Sequence, residues 1–194
     1  MLFSLDHEGL VEIAGEENVH VLSSETASRY RFSGETLTFL TEVGIPSSEE
    51  WEIPCGIPDV FDPDLLWDKS SREERGWTFP EGVETVIPIG NLPVNAMVID
   101  PATGVVYQYT DATQELIPIH RDLSSFAKTL VSFVGYIESF ERAEGEDSEH
   151  EDARRRQEVE ALMADIRQVD PLPFDHELSE WRELFENLWT GIYT

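Results

Sequence analysis

The middle of the chain alternates short runs of β-branched and aromatic residues with breaks made by Pro, Gly and Asn. Such runs are typical of β-strands, because branched and aromatic side chains pack well on a pleated surface. They predict four strands, over residues 86–89, 96–99, 105–109 and 116–119. The stretch Asp100-Pro101-Ala102-Thr103-Gly104 predicts a tight turn, in which the Asp100 side chain holds the first position and Gly104 takes a positive φ.

Alternation along individual strands indicates what should cover the predicted sheet. In the third strand, Val105, Tyr107 and Tyr109 share one face, and the residues between them share the other. One of these faces is expected to be core and the other to be partly wet. The second strand, 96–99, is apolar on both faces, which predicts a central strand covered on two sides.

Apolar residues at steps of three and four predict helices that cover this sheet. The first helix has Ser33 as N-cap, whose hydroxyl can accept a backbone N–H, and it ends at Gly44. The second is capped by Asp122 and contains Gly135, which weakens a helix by about 1 kcal/mol relative to Ala and so indicates a close neighbour. Residues 1–32 show no sustained period and predict only small strands or loops.

Two further helices are predicted near the carboxyl end. One begins near Ser148, within an acidic run over 144–152 that we interpret as a solvated linker and helix start, with a partner-binding tail as the alternative, and it ends before Asp170. The other begins near Asp175, with an apolar stripe that runs from Leu178 to Ile192.

Together these elements predict an α+β fold, in which a mostly antiparallel twisted sheet is packed by helices and extended by additional C-terminal helices. We expect one domain over residues 1–194. Its core sheet and helices should lie within 33–143, and a helical extension should occupy 144–194.

Acidic residues dominate the charge, because 40 Asp and Glu against 13 Lys and Arg give a net charge of −27. Such a surface repels the phosphates of nucleic acid and anionic lipid, and it attracts basic proteins. Solubility alone is an alternative reason for the charge. The single Cys indicates a reducing compartment. With no basic leader and no membrane-spanning apolar run, we expect a cytoplasmic protein with neither a nucleic-acid nor a membrane partner.

No pattern of catalytic or metal-binding residues stands out. Gly-rich phosphate loops are absent, and the five His are scattered without the spacing of metal ligands. Cys55 has no neighbouring base in the sequence that would activate it as a nucleophile. We therefore expect no enzyme activity, no cofactor and no bound metal. A hydrolase or calcium site built on the abundant carboxylates stays open, although no DxDxDG loop is present.

Residues 47–80 combine Pro, acids and large aromatics without a helical or strand period. Long irregular segments within a domain are often functional, and aromatic anchors among carboxylates suit a protein-binding surface with electrostatic steering. We predict that the partner-binding residues are five acids and two tryptophans, namely Glu49, Glu50, Trp51, Asp59, Asp62, Asp64 and Trp67. Alternatively, these aromatics simply cover the sheet, since Trp is heavily buried on average.

The order of turn and helix-boundary signals resembles the SUKH superfamily of immunity proteins, and the closer match is to its fourth subgroup. The signals are, in chain order, Gly44-Ile45-Pro46, Ile89-Gly90, Ile99-Asp100, Thr103-Gly104-Val105, Asp122-Leu123-Ser124-Ser125-Phe126, Val169-Asp170-Pro171 and Glu180-Trp181. The resemblance covers roughly residues 33 to 190. It departs from many relatives at Asp122, where they have an Asn-Ser-Ser-like helix start.

The resemblance implies a Smi/Knr-like fold and a cytoplasmic bacterial protein that binds a cognate polymorphic toxin, often a nuclease or nucleic-acid deaminase, and blocks it. The partner is then expected to be a basic toxin domain. We expect a monomer when unbound, because a charge of −27 disfavours self-association at low salt. The alternative is a non-catalytic regulatory or scaffold domain of the same fold, and a neighbouring gene for a large secreted protein would favour immunity.

Overall fold

The computed structural model describes residues 1–141 and 148–193. Its helices are α1 (His7–Ala14), α2 (Ser24–Arg29), α3 (Gly34–Thr38), α4 (Lys69–Arg75), α5 (Leu123–Ser139), α6 (Ser148–Val169), α7 (Leu172–Asp175) and α8 (Glu180–Trp189). Its strands are β1 (Val19–His20), β2 (Ile45–Pro46), β3 (Ile87–Asn91), β4 (Ala96–Ile99), β5 (Val106–Thr110) and β6 (Glu115–His120). This composition confirms the predicted α+β fold. Residues 144–147 of the predicted linker lie outside the described residues.

The main sheet is an antiparallel meander in the order β3-β4-β5-β6, so each strand pairs with its neighbour in the chain. All four strands confirm the sequence prediction to within two residues. The turn between β4 and β5 has the predicted chemistry. Asp100 Oδ1 accepts the Ala102 N–H at 2.9 Å, Asp100 Oδ2 accepts the Thr103 hydroxyl at 2.7 Å, and Gly104 has φ +81°. This turn packs against the start of α3, where Ser33 N donates to the carbonyl of Pro101 at 2.9 Å.

Both faces of the sheet are covered, so the prediction of a partly wet face is wrong. Every residue of β5 is buried. Side chains on one face, such as Val106 and Ile117, join the larger core cluster with the helices. Those on the other face, such as Tyr107 and Tyr109, join a second cluster with residues of the segment 67–86. We call this segment the outer cover; apart from the short helix α4 its backbone is irregular, so it shows no period from which its position could be predicted.

The helical layer is centred on α5, which buries most of one face against the sheet. Asp122 is its N-cap, as predicted, with Oδ1 accepting the Ser125 N–H at 2.9 Å. Gly135 does not mark a close neighbour, because nothing lies within 4 Å of a Cβ added there. That prediction is wrong, and Gly135 only lowers the helix propensity of α5.

The amino-terminal region contains two helices, α1 and α2, where only strands or loops were predicted. Asp6 and Ser23 cap them through their side chains. Both helices are too short for an apolar period to repeat, and Leu10 is the buried residue of α1. Ser33 precedes α3 as predicted, but its hydroxyl contacts the Thr36 hydroxyl at 3.0 Å and makes no cap hydrogen bond to the backbone.

The carboxyl-terminal helices dock on the sheet through buried polar groups. Gln108 on β5 is fully buried; its Oε1 accepts the Glu180 N–H at 2.9 Å, and its Nε2 donates to the Leu178 carbonyl at 2.8 Å. This amide fixes the start of α8 at Glu180, five residues later than predicted. Leu178 and Ile192, which the predicted stripe placed inside, are 44% and 65% exposed.

Glu180 also holds the turn between β3 and β4. Its carboxylate accepts the backbone N–H groups of Val94 and Asn95 at 2.7 and 3.0 Å, and the Asn95 side-chain amide at 2.7 Å. Burial raises the pKa of this carboxyl, and the hydrogen bonds from Asn95 and Val94 oppose that rise. Trp181, next in the chain, is fully buried in the larger cluster. The Glu180-Trp181 pair therefore anchors the extension to the sheet.

Candidate partner-binding surface

Two of the predicted acids lie on a tight turn that follows β2. Ser48 and Ile53 exchange backbone hydrogen bonds of 2.9 and 2.8 Å, and Glu52 closes the turn with φ +56°. Glu49 and Glu50 lie at its tip and are exposed. Only the backbone pair Ser48–Ile53 closes this turn, and both glutamates project from its tip into solvent. Their carboxylates are therefore available to a partner.

Trp51 follows these acids and is only partly exposed. Its ring packs edge-on against Tyr193, with centroids 5.7 Å apart, and it joins the rim of the larger core cluster. Its indole Nε1 is buried and has no hydrogen-bond partner. Packing against the core therefore takes up much of this side chain, and only the remaining edge could meet a partner.

The other three acids, Asp59, Asp62 and Asp64, lie in the loop before the outer cover and are exposed. Two hydrogen bonds between a side chain and the backbone hold this loop. The Asp59 carbonyl accepts the Thr26 hydroxyl at 2.5 Å, and Asp62 Oδ1 accepts the Asp64 N–H at 2.9 Å at the start of the 3-10 turn Pro63–Leu65. The carboxylates are thus displayed by a structured loop.

Trp67 belongs to the outer cover, as the alternative interpretation of the aromatics expects. Its backbone pairs with Val86, and its ring lies 4.4 Å from that of Trp77 and 5.6 Å from that of Tyr109, between centroids. Arg75 stacks over Trp77 at 4.8 Å. Because Trp51 and Trp67 belong to clusters on opposite faces of the sheet, they do not form one aromatic patch.

The five exposed acids lie on two separate loops, Glu49 and Glu50 on one and Asp59, Asp62 and Asp64 on the other, and together are called the acidic surface below. Within the described residues, none of them forms an ion pair. Unpaired exposed carboxylates keep their full charge for a partner, whereas an internal ion pair would neutralise it.

Sequence reasoning missed a buried chain of polar side chains that joins β6, α5 and the end of α6. The Ser125 hydroxyl donates to Asp170 Oδ2 at 2.6 Å and lies 3.1 Å from His120 Nδ1. Since the serine proton goes to Asp170, His120 must donate from Nδ1, which leaves Nε2 as a bare acceptor. All three residues are fully buried. Only the Asp-Pro step after α6 hinted at this cluster in the sequence.

The three residue types are those of a hydrolase triad, but the connectivity is different. In a triad the imidazole lies between the serine and the carboxylate, whereas here Ser125 lies between His120 and Asp170. The His120 ring instead contacts Phe126 and Trp181, with centroids 5.6 and 5.8 Å away. This chain of groups is therefore positioned to hold α5, β6 and α6 together.

Burial lowers the pKa of His120 well below its usual 6.5, because the bare Nε2 would carry a charge with no partner. The unfolded chain binds this proton more tightly, so stability is full above pH 6.5 and is lost as the pH falls below it. We expect the wild type to lose on the order of 1 kcal/mol through His120 between pH 7.5 and 5.5. Urea unfolding at both pH values measures this loss.

The matched variant is His120→Gln. It should be less stable than the wild type at both pH values, but it should lack the loss of unfolding free energy that His120 causes between them. His176→Gln, at an exposed position, is the control and should keep it. The same pH dependence in His120→Gln as in the wild type would contradict the assignment of a neutral buried imidazole.

The other reactive side chains are accounted for by packing. Cys55 is buried, and desolvation raises the pKa of its thiol, which disfavours the nucleophilic thiolate.

Within residues 1–141 and 148–193, no group of three or more His, Cys, Asp and Glu side chains could hold a metal ion. In the same part of the chain, no helix combines the length and apolar character needed to cross a membrane.

The fold places the chain among α+β proteins whose antiparallel meander is covered by helices on one face and by an irregular segment on the other. A family model described as SUKH-4 immunity protein matches residues 5–187, so the chain belongs to that family. This confirms the resemblance predicted from the sequence. Membership supports an immunity function and implies a toxin as protein partner. No curated protein and no solved structure gives a significant match.

Proposed function

We propose that this protein neutralises a cognate bacterial toxin by binding a basic surface of the toxin through its acidic surface. The observation that carries this proposal is the set of five exposed carboxylates that form no ion pair with any residue the structure describes, in a family of immunity proteins. The exposed edges of Trp51 and Trp67 would add apolar contact. A net charge of −27 would steer the encounter.

The toxin is proposed to be a nuclease or a nucleic-acid deaminase, because such enzymes need a basic surface to bind phosphate backbones. The immunity protein would then act in the cytoplasm, as a monomeric, single-domain, non-catalytic binder without a cofactor. Its binding would compete with nucleic acid for the same basic surface. Association at about 10⁸ per molar per second at low salt would suit a protein that must intercept the toxin quickly.

Affinity capture from lysate of the native host, at low and at moderate salt, tests this proposal. We expect stoichiometric recovery of a basic domain encoded beside this chain, identified by mass spectrometry, and loss of its activity when the immunity protein is added. Recovery of housekeeping proteins alone, or of nothing at either salt, would favour the scaffold alternative.

A variant set tests the acidic surface once the domain is in hand. Asp59, Asp62 and Asp64 changed together to Asn should reduce the association rate about tenfold at low salt. The charge-matched control changes Glu74, Glu81 and Glu115 to Gln, which are exposed acids that form no ion pair within the described residues. Equal rates for the two variants would mean that only the overall charge of the protein matters.

A further inference from the structure

A groove lies beside the Glu49-Glu50 turn, between the end of α1, the end of β2 with the turn after it, and α5. Its floor is formed by Leu130, Val131 and Val134 of α5, which are buried. Three exposed glutamates stand on its rim, namely Glu49, Glu50 and Glu138. We call it the carboxylate groove. Its lining combines apolar side chains, the neutral polar residues Asn18, Ser47 and Ser48, and a negatively charged edge.

The polar groups of this groove favour a cation. No Lys, Arg or His is among the residues that line it. The three rim glutamates form no ion pair within the described part of the chain. Nothing in the groove itself therefore neutralises their charge, and a negative potential inside a concave surface attracts positive groups.

The size of the groove restricts what can enter it. Its volume is about 140 Å³, whereas sites for small molecules and cofactors span about 300–1,000 Å³. A single side chain is therefore a better match than a free ligand. Lys and Arg place an apolar stem against apolar surface while the charged head reaches polar groups. The apolar floor could pack against the stem of such a side chain, and the carboxylates of the rim could pair with its charged head.

Ile13 adds a second feature at the α1 side of the groove. It lines the groove but is 44% exposed, so a large apolar side chain borders the opening without being covered. A long side chain that entered the groove would cover part of it and gain apolar contact.

We propose that the carboxylate groove receives one arginine or lysine side chain of the basic toxin domain. This proposal rests on the proposed function and adds to it a specific docking point, where a single cationic anchor is held by Glu49, Glu50 and Glu138 over an apolar floor. Long-range steering by the remaining acids speeds the encounter. The groove instead slows dissociation, because the contact forms only in the docked complex.

Glu49, Glu50 and Glu138 changed together to Gln test the proposal, with the captured basic domain as probe. The control is the Glu74, Glu81 and Glu115 to Gln variant, which changes the net charge equally. We expect dissociation of the groove variant to be about 10- to 100-fold faster than that of the control, beyond any change in the association rate. Equal dissociation rates would overturn the proposal.

A second variant places a cation in the groove within the chain itself. Ile13→Lys should compete with the partner's side chain and speed dissociation at least about tenfold relative to Val94→Lys, a control at an 81% exposed position elsewhere. Equal rates for these two variants would also overturn the proposal. Capture of the domain by the wild type tests the proposed function alone, so a failure of the groove is distinguishable from a failure of the function.

Discussion

Replacing Asp170 by alanine is expected to lower the free energy of unfolding by about 3–5 kcal/mol. This fully buried carboxylate accepts the Arg121 N–H at 2.8 Å, the Leu172 N–H at 3.1 Å and the Ser125 hydroxyl at 2.6 Å. Burying a carboxylate is costly, and the three donors offset that cost together with the Arg121 guanidinium, whose Nε lies 3.7 Å from Asp170 Oδ1. Without it, these donors lose their acceptor in the interior. Urea unfolding at neutral pH measures the effect.

The matched variants separate the buried contacts from the loss of an acid. Asp170→Asn keeps the volume but turns one acceptor into a donor, so we expect a loss of about 2–3 kcal/mol. Asp175→Ala removes an exposed acid from the adjoining helix and should stay within about 0.5 kcal/mol of the wild type. A loss below about 1 kcal/mol for Asp170→Ala would show that the cluster does not hold the extension.

The parts of the fold that could be predicted from the sequence are those specified by neighbouring residues. The turn at Asp100 and Gly104 needs only an aspartate that bonds two and three residues ahead and a glycine with positive φ. The N-cap at Asp122 is equally local. Such signals lie within one turn of the chain, so the four strands and α5 were placed to within two residues.

The parts that could not be predicted depend on contacts between distant residues. One face of β5 was expected to be partly wet, yet Gln108 is buried, and its amide bonds Leu178 and Glu180, about seventy residues away. When such distant partners are unknown, a polar residue in a strand predicts that its face is exposed to solvent. The outer cover packs on the face of the sheet that carries Tyr107 and Tyr109. Most of its backbone is irregular, so no hydrophobic periodicity predicts that it packs there.

The candidate surface was predictable only in part, for a related reason. Acids within a Pro-rich loop are exposed by default, and Glu49, Glu50, Asp59, Asp62 and Asp64 are exposed. Trp51 and Trp67 are partly buried against different clusters, because an indole finds apolar neighbours wherever the fold offers them. The carboxylate groove was not predictable, since Glu138 lies on a helix far along the chain from the turn that presents Glu49 and Glu50.

The residues that carry the family resemblance serve the fold. Asp100 and Gly104 form a turn, Asp122 caps α5, and Asp170 and Glu180 dock the extension. The resemblance therefore identifies the architecture through its structural residues. The acids proposed to bind the toxin stand outside these motifs, on exposed loops, which is where binding residues are most often found.

Gly90 carries the second large prediction, because another backbone runs directly over it. It lies on β3 with φ +150°, and its partner across an isolated bridge is Cys55. A Cβ added at Gly90 would lie 2.2 Å from the Pro54 carbonyl oxygen and 2.9 Å from the Cys55 Cα. Both obstacles are backbone atoms, so no side-chain rotation relieves the contact. The neighbouring hydrogen bonds, Gly56 N to Ile89 O at 2.8 Å and Asn91 N to Pro54 O at 3.1 Å, would have to lengthen.

Gly90→Ala is therefore expected to lower the free energy of unfolding by about 3 kcal/mol or more, from backbone strain and from separation of the 53–56 segment from β3. Gly135→Ala is the matched control with the opposite sign. Its added Cβ meets nothing within 4 Å, and Ala in a helix interior should stabilise α5 by about 0.5–1 kcal/mol. Urea midpoints and soluble yield, measured side by side, give both effects. A Gly90→Ala protein that is soluble and within about 1 kcal/mol of the wild type would mean that the segment before β3 can move aside without cost.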